Sequence, residues 1–171
     1  MIKNQILNAF PCCEDNKCLH SISKIKFEVR DSDFIKKSEI VDTDGTLVIQ
    51  NSNGKELNFL AIDGCLILDV NKRKSDCAVF DDKDFYFVEL KKSKTKKRSS
   101  HRINAIEQLK QTIQIFKEAN ILFFKYNLYA VICFNFQKNH PISRTGNQAN
   151  KKEFWDKFKT VLMEGNEISF K

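Results

Sequence analysis

The residues best equipped for chemistry lie between Ser75 and Ser93, in "SDCAVFDDKDFYFVELKKS". Asp76 begins one apolar run, and Glu89 and Lys91 close the next. If "DDKD" is a tight turn centred on Asp82 and Lys83, Phe80 faces Phe85, Ala78 faces Phe87 and Asp76 faces Glu89. Directly opposed side chains have Cβ atoms ~5 Å apart, and like charges placed so are destabilising. Lys91 lies two residues beyond Glu89 and points to the same side of the sheet. Two carboxylates that close call for positive charge. Lys91 offsets part of theirs. A hard divalent cation such as Mg²⁺ offsets more, because it accepts one or two carboxylates together with phosphate oxygens. Such a cation polarises a phosphate and activates water, while a lysine orients that water or stabilises transition-state charge. The competing reading is an ordinary salt bridge at a strand end.

The elements that must position these groups follow from patterning. "SKIKFEVR" alternates as a strand. "TLVIQ" and "ELNFLAI" flank "NSNGK", whose Asn-Gly is a hairpin signal. "CLILDV", "CAVF" and "FYFVELK" read as further strands, so residues 22–91 predict an antiparallel meander. From Arg102 the period changes. Ile103, Ile106, Leu109, Ile113, Phe116 and Ala119 recur every three or four residues, which predicts a helix to about Asn120. "NLYAVICFNF", apolar on both faces, predicts an interior strand reached by a crossover. "KKEFWDKFKTVL" predicts an amphipathic helix and "EISF" an edge strand; a short helix is expected around Ile2 to Phe10. The fold class expected is α/β: one domain over residues 1–171, a mixed central sheet flanked by helices.

Composition narrows the class. Hydrophobic residues make up 42% and charged residues 30%, a globular balance. No apolar run reaches the ~20 residues of a membrane span, and the first residues lack a signal peptide's apolar segment. A cytoplasmic protein without membrane partners is expected. The six cysteines contain no CxxC pair and read as buried reduced thiols; the three histidines show no metal spacing. The net charge is +7, and "KKSKTKKRSSHR" places seven lysines and arginines in twelve residues with no acid. That local field suits a polyanion. The alternative is a solvated loop.

The spacing Asp76-x12-Glu89-x-Lys91, with apolar residues between, resembles the PD-(D/E)xK nuclease superfamily, which has the restriction-endonuclease-like fold. In that pattern an acid begins one core strand, E-x-K ends its neighbour, and a helix and a further strand follow. The resemblance covers residues 66–136 approximately, and Ser75 stands where the pattern has proline. It implies a restriction-endonuclease-like core after the meander and a metal-dependent hydrolase of phosphodiester bonds, in DNA in preference to RNA. Asp76 and Glu89 would hold Mg²⁺, with Mn²⁺ able to substitute, and Lys91 would act on the water or transition state. Some members carry a glutamine in the following helix, which Gln108 matches, with Gln111 three residues on. An upstream acid often adds a ligand; Asp63 in "AIDGCL" is the first choice, then Asp69 and Glu39. Lys92, Lys94, Lys96, Lys97, Arg98 and Arg102 would hold the nucleic-acid backbone. A homodimer or a partner protein would supply specificity, in a defence or repair system by family analogy. The second reading is a non-catalytic module binding nucleic acid or protein on the same fold.

Overall fold

The structure is a computed structural model that describes residues 2–91, 98–134 and 148–171. The acid-bearing hairpin forms in the expected register. Strands β6 (Cys77–Phe80) and β7 (Asp84–Lys91) pair antiparallel, with Phe80 opposite Phe85 and Ala78 opposite Phe87. Asp81 closes the turn. Its Oδ1 accepts the N–H groups of Lys83 and Asp84 at 2.8 and 2.6 Å, the self-capping that suits Asp to turns. After β7 the chain passes through helix α3 (Arg98–Glu118) and returns as β8 (Asn127–Phe134), parallel to β7. Parallel neighbours require such a crossover.

Two mixed sheets result. The six-stranded sheet runs β1 (Leu19–Ile22), β5 (Leu57–Ala61), β6, β7, β8 and β9 (Thr160–Glu164). The four-stranded sheet runs β10 (Glu167–Phe170), β4 (Leu47–Asn51), β2 (Lys26–Ser32) and β3 (Lys37–Val41). Alternation along β7 sorts the layers. Phe85 and Phe87 meet Phe116 of α3, with ring centroids 6.4 and 5.2 Å away, while Tyr86 meets Phe170 of β10 edge-on at 5.2 Å. Helix α3 therefore covers one face and the smaller sheet the other. Glu89 and Lys91 share the parity of Phe85 and Phe87, so both belong to the helix face. Burial of the three phenylalanines, none of which is exposed, stabilises this contact by roughly 1.5–3 kcal/mol per ring.

Helix α1 (Ile2–Ala9) joins the helix side, where Phe10 lies 5.4 Å from Phe116; the one-turn α2 (Cys12–Asp15) follows it. Helix α4 (Gln148–Phe158) packs beside β9.

Several expectations are corrected. The "NSNGK" segment does not close a hairpin: β4 and β5 lie in different sheets. The side chain of Asn51 donates to the carbonyls of Lys24 and Lys55, and Gly54 takes φ +60, so the chain turns out of one sheet toward the other. "CLILDV" is not a strand; Cys65–Val70 is a turn with one bridge, Asp63 to Ile67. "TVL" leaves the last helix and becomes β9, since the chain breaks at Lys159 with φ +55. Ile103 is 63% exposed, outside the buried stripe of Ala105, Ile106, Leu109, Ile113 and Phe116. Cys18 and Cys65 form a disulfide rather than two thiols, while Cys13, Cys77 and Cys133 are buried and free. Among the described residues no helix is long and apolar enough to cross a membrane.

Candidate active site

Asp76 stands immediately before β6, where the register places it opposite Glu89. Its carboxylate is held rather than free: Oδ2 accepts the N–H of Leu90 at 2.5 Å. Glu89 is 1% exposed. Its Oε1 meets the Lys91 ammonium at 2.5 Å, but its Oε2 is buried with no hydrogen-bond partner among the described residues. A buried carboxylate oxygen left so is costly, and a structure keeps few of them. Lys91 also donates to Oε1 of Gln108 at 2.8 Å, and Nε2 of Gln108 donates to the carbonyl of Lys74 at 3.0 Å. The chain of contacts therefore runs from Glu89 through Lys91 and Gln108 to the residue two before Asp76.

Helix α3 is fixed to that strand by a second bond. The Ser75 N–H donates to Oγ1 of Thr112 at 2.6 Å, and that hydroxyl donates to the carbonyl of Gln108 at 2.9 Å. Thr112 is fully buried. Thr112→Val should orphan the Ser75 N–H and lower stability by about 1–3 kcal/mol. The measure is the urea midpoint at unchanged m; an unmoved midpoint would mean that the bond anchors nothing.

The electrostatics of the acid pair follow from burial. Burial pushes the Asp76 carboxyl up to about 7; the Leu90 N–H and Lys91 oppose the rise, and the charges of Asp31 and Asp63 add to it. Glu89 is likewise raised well above the ordinary carboxylate range, first by burial and then by Asp76, despite its contact with Lys91. One ammonium does not balance these acids. When both are ionised, the pair is short of positive charge.

Of the upstream acids, Asp63 lies nearest in effect, since its charge acts on both Asp76 and Glu89. It is half-exposed, and its Oδ1 is 3.3 Å from the Lys74 ammonium. Asp69 caps Asn71 with its side chain and receives the Lys74 ammonium on its carbonyl at 2.7 Å. Glu39 pairs with Arg30 across the β2–β3 hairpin. Gln111 is exposed on α3, whereas Gln108 is turned inward. Arg102 forms a two-pronged bond to Glu164 of β9 at 2.8 and 3.0 Å. Lys92, Lys94, Lys96 and Lys97 lie outside the described residues, and Arg98 opens α3.

Three participants escape the sequence reading. Thr112 sits one helical turn after Gln108, a spacing that flags a shared face. Lys74 has the weaker signal of a basic residue two before the first acid. Asp31 has none, because it comes from β2 of the other sheet and reaches Asp76 only through tertiary packing.

Among the described residues no group of three or more His, Cys, Asp and Glu side chains is arranged to hold a metal ion. Two carboxylates do suit Mg²⁺, which keeps several waters and takes one or two protein carboxylates. The partnerless Glu89 oxygen and the charge deficit at Asp76 fit that ion. No protein-family model, curated protein or solved structure matches the chain.

Proposed function

We propose that this protein is a divalent-metal-dependent nuclease that hydrolyses phosphodiester bonds, in DNA in preference to RNA. The observation that carries the reading is the buried, partnerless oxygen of Glu89 beside Asp76, with Lys91 held between Glu89 and Gln108. Asp76 and Glu89 would hold Mg²⁺, or Mn²⁺ in its place, and Asp63 would supply a further oxygen. The cation would polarise the phosphate and lower the pKa of an attacking water. An ammonium has three N–H donors; among the described residues two of those on Lys91 meet Glu89 and Gln108, and the third would serve water or a phosphate oxygen. Gln108 acts through Lys91, fixing where that donor sits, and is a positioning residue.

Purified protein is to be tested on plasmid DNA, single-stranded DNA and RNA with Mg²⁺, Mn²⁺ or EDTA. Cleavage that needs the metal is expected. Binding without cleavage in any metal would favour the non-catalytic module instead.

The segment from Lys92 to Arg102 would grip the phosphate backbone. Replacing Lys94, Lys96, Lys97 and Arg98 with serine should weaken binding about equally across sequences. Each lost phosphate contact should reduce the slope of log K against log salt by ~0.9 on duplex DNA. An unchanged slope would reduce the segment to a solvated loop. A homodimer or a partner protein supplying specificity, and a place in a defence or repair system, belong to the same proposal.

So does a cytoplasmic location. The Cys18–Cys65 disulfide weighs against a reducing compartment, where such bonds are rare. Thiol labelling of protein drawn from its own cell would decide between them.

A further inference from the structure

The tip of the β2–β3 hairpin carries an aromatic ring that folding does not explain. Asp33, Phe34, Ile35 and Lys36 form the turn, and Phe34 is 94% exposed. The turn is held by other groups. The Lys36 N–H donates to the carbonyl of Ser32 at 2.9 Å, the Ile35 N–H to the Ser32 hydroxyl at 3.4 Å, and Lys36 takes φ +56. Neither apolar side chain at the corner contributes to this. Ile35 is also 40% exposed.

The hairpin's position is fixed beside the acids. A Cβ on Gly64 would collide with the carbonyl of Lys36, and Gly64 has φ +69, so the tip rests directly on the Asp63–Gly64 turn. The Lys37 ammonium reaches the carbonyl of Asn16 at 3.3 Å and secures the same junction. Phe34 is two residues from Lys36, which limits their Cα atoms to about 7 Å. On the β2 side of the same tip Asp31 acts on Asp76 through charge. The ring therefore stands at the mouth of the candidate site, next to the exposed Lys36. Further along the chain from Asp63, Val70 is 88% exposed and is followed by the exposed Lys72 and Arg73.

An exposed ring with the exposed Lys36 close by, at the entrance to a phosphodiester site, has the make-up of a base-stacking platform. Stacking on an aromatic face tolerates any base but needs one that is unpaired, since a base within a duplex already has both faces covered. We infer that Phe34 stacks on an unpaired nucleobase beside the phosphate presented to Asp76 and Glu89, which makes single-stranded or locally unpaired nucleic acid the preferred substrate. The inference rests on the nuclease reading for the role of the acids, but not for the binding it describes.

The test is binding by fluorescence anisotropy in EDTA, using a single-stranded oligonucleotide, its abasic counterpart and a blunt duplex. Phe34→Ala should weaken single-strand binding by about 5- to 150-fold, the range for loss of one base–aromatic stack. Binding of the abasic strand and the duplex should stay within twofold of wild type. Phe34→Trp, made with Trp155→Phe so that it is the sole indole, should keep wild-type affinity and lose emission on the intact strand but not on the abasic one. Because Phe34 supports no packing, the melting temperature of each Phe34 variant measured against its own parent (wild type or Trp155→Phe) should not move. Equal single-strand affinity for Phe34→Ala and wild type would overturn the inference. So would an equal loss on all three ligands, or a Phe34→Ala variant that loses only self-association, which would make the tip a protein contact. Selective loss with no cleavage in any metal would sustain the stacking role while ending the nuclease reading. Wild-type protein that binds no nucleic acid would end both.

Discussion

Glu89→Gln should lower metal-dependent cleavage by more than about 10²-fold, the scale on which loss of one transition-state electrostatic contact acts, and the protein should remain folded. The amide keeps the size of the carboxyl and an oxygen to accept from Lys91, so the packing of β7 against α3 is retained. What disappears is a negative charge that the site cannot balance alone. Without metal at pH 8 the variant should therefore melt no lower than wild type. Asp76→Asn should act alike on cleavage, though it weakens the acceptor for the Leu90 N–H. Lys91→Ala should reduce turnover more than metal affinity, because a cation is not a ligand. Glu39→Gln, which among the described residues alters the Arg30 pair, is the control and should cut normally. Initial rates on one oligonucleotide across a metal titration separate these outcomes. Wild-type rates in Glu89→Gln would remove the site assignment. A fall of several degrees in its melting temperature would point instead to a structural salt bridge.

The part of this site that was readable in the sequence is the part made by local geometry. Period-two alternation and an Asp-rich turn predict the register that sets Asp76 against Glu89, because a hairpin leaves few registers open. The period-3.6 stripe of α3 likewise predicts a face that carries Leu109, Ile113 and Phe116 inward, with Gln108 beside it. Reading fails where the chain must choose between partners of similar local quality. "TLVIQ" and "ELNFLAI" have the pattern of a hairpin, yet Asn51 spends its side chain on Lys24 and Lys55 and sends the two strands into separate sheets. "CLILDV" has strand composition but follows directly on the turn at Gly64, where the approach of Lys36 leaves no room for a side chain. That lost strand is also what lets the β2–β3 hairpin reach the acids. The misread element and the unforeseen Asp31 are one error seen twice.

In metal-free buffer the protein should become less stable as pH rises from about 4 to about 8, and Mg²⁺ should reverse the loss only at the upper end. The sign follows from proton counting. Burial raises the Asp76 carboxyl from 3.8 to about 7 in the folded chain, and Glu89 shifts in the same direction. Between those values the folded state holds more protons than the unfolded one, so stability is greatest below the unfolded pKa and is lost as pH climbs through the folded pKa. For Asp76 alone the rise corresponds to roughly 4 kcal/mol, at 1.36 kcal/mol per pH unit. At ~2–4 °C per kcal/mol for a domain of this size, the melting temperature should fall by about 10 °C across the window. Asp81 and Glu153 do not mask this. Burial raises Asp81, but the Asp84 N–H, Lys55 and the Lys83 N–H bring it below 3.8, and bonds from Lys110 and Lys157 lower Glu153 to about 2. In the folded chain both therefore titrate beneath the window, and their opposing contribution is confined to its acid edge, near the unfolded carboxylate values. A divalent cation binds the ionised pair and competes with its protons, so its stabilisation, RT ln(1 + [L]/Kd), should be near zero at pH 5 and several degrees at pH 8. Asp76→Asn with Glu89→Gln should flatten the pH profile and abolish the metal increment together. Asp63→Asn should lower that increment only if Asp63 is a ligand. Melting curves at pH 5, 6.5 and 8, with EDTA or Mg²⁺, give all of these readings. If the metal increment were the same at pH 5 and pH 8, the cation would be binding elsewhere. If stability instead rose with pH through the window, the two carboxyls would be ionised and satisfied in the folded chain, and the charge deficit on which the metal assignment depends would not exist.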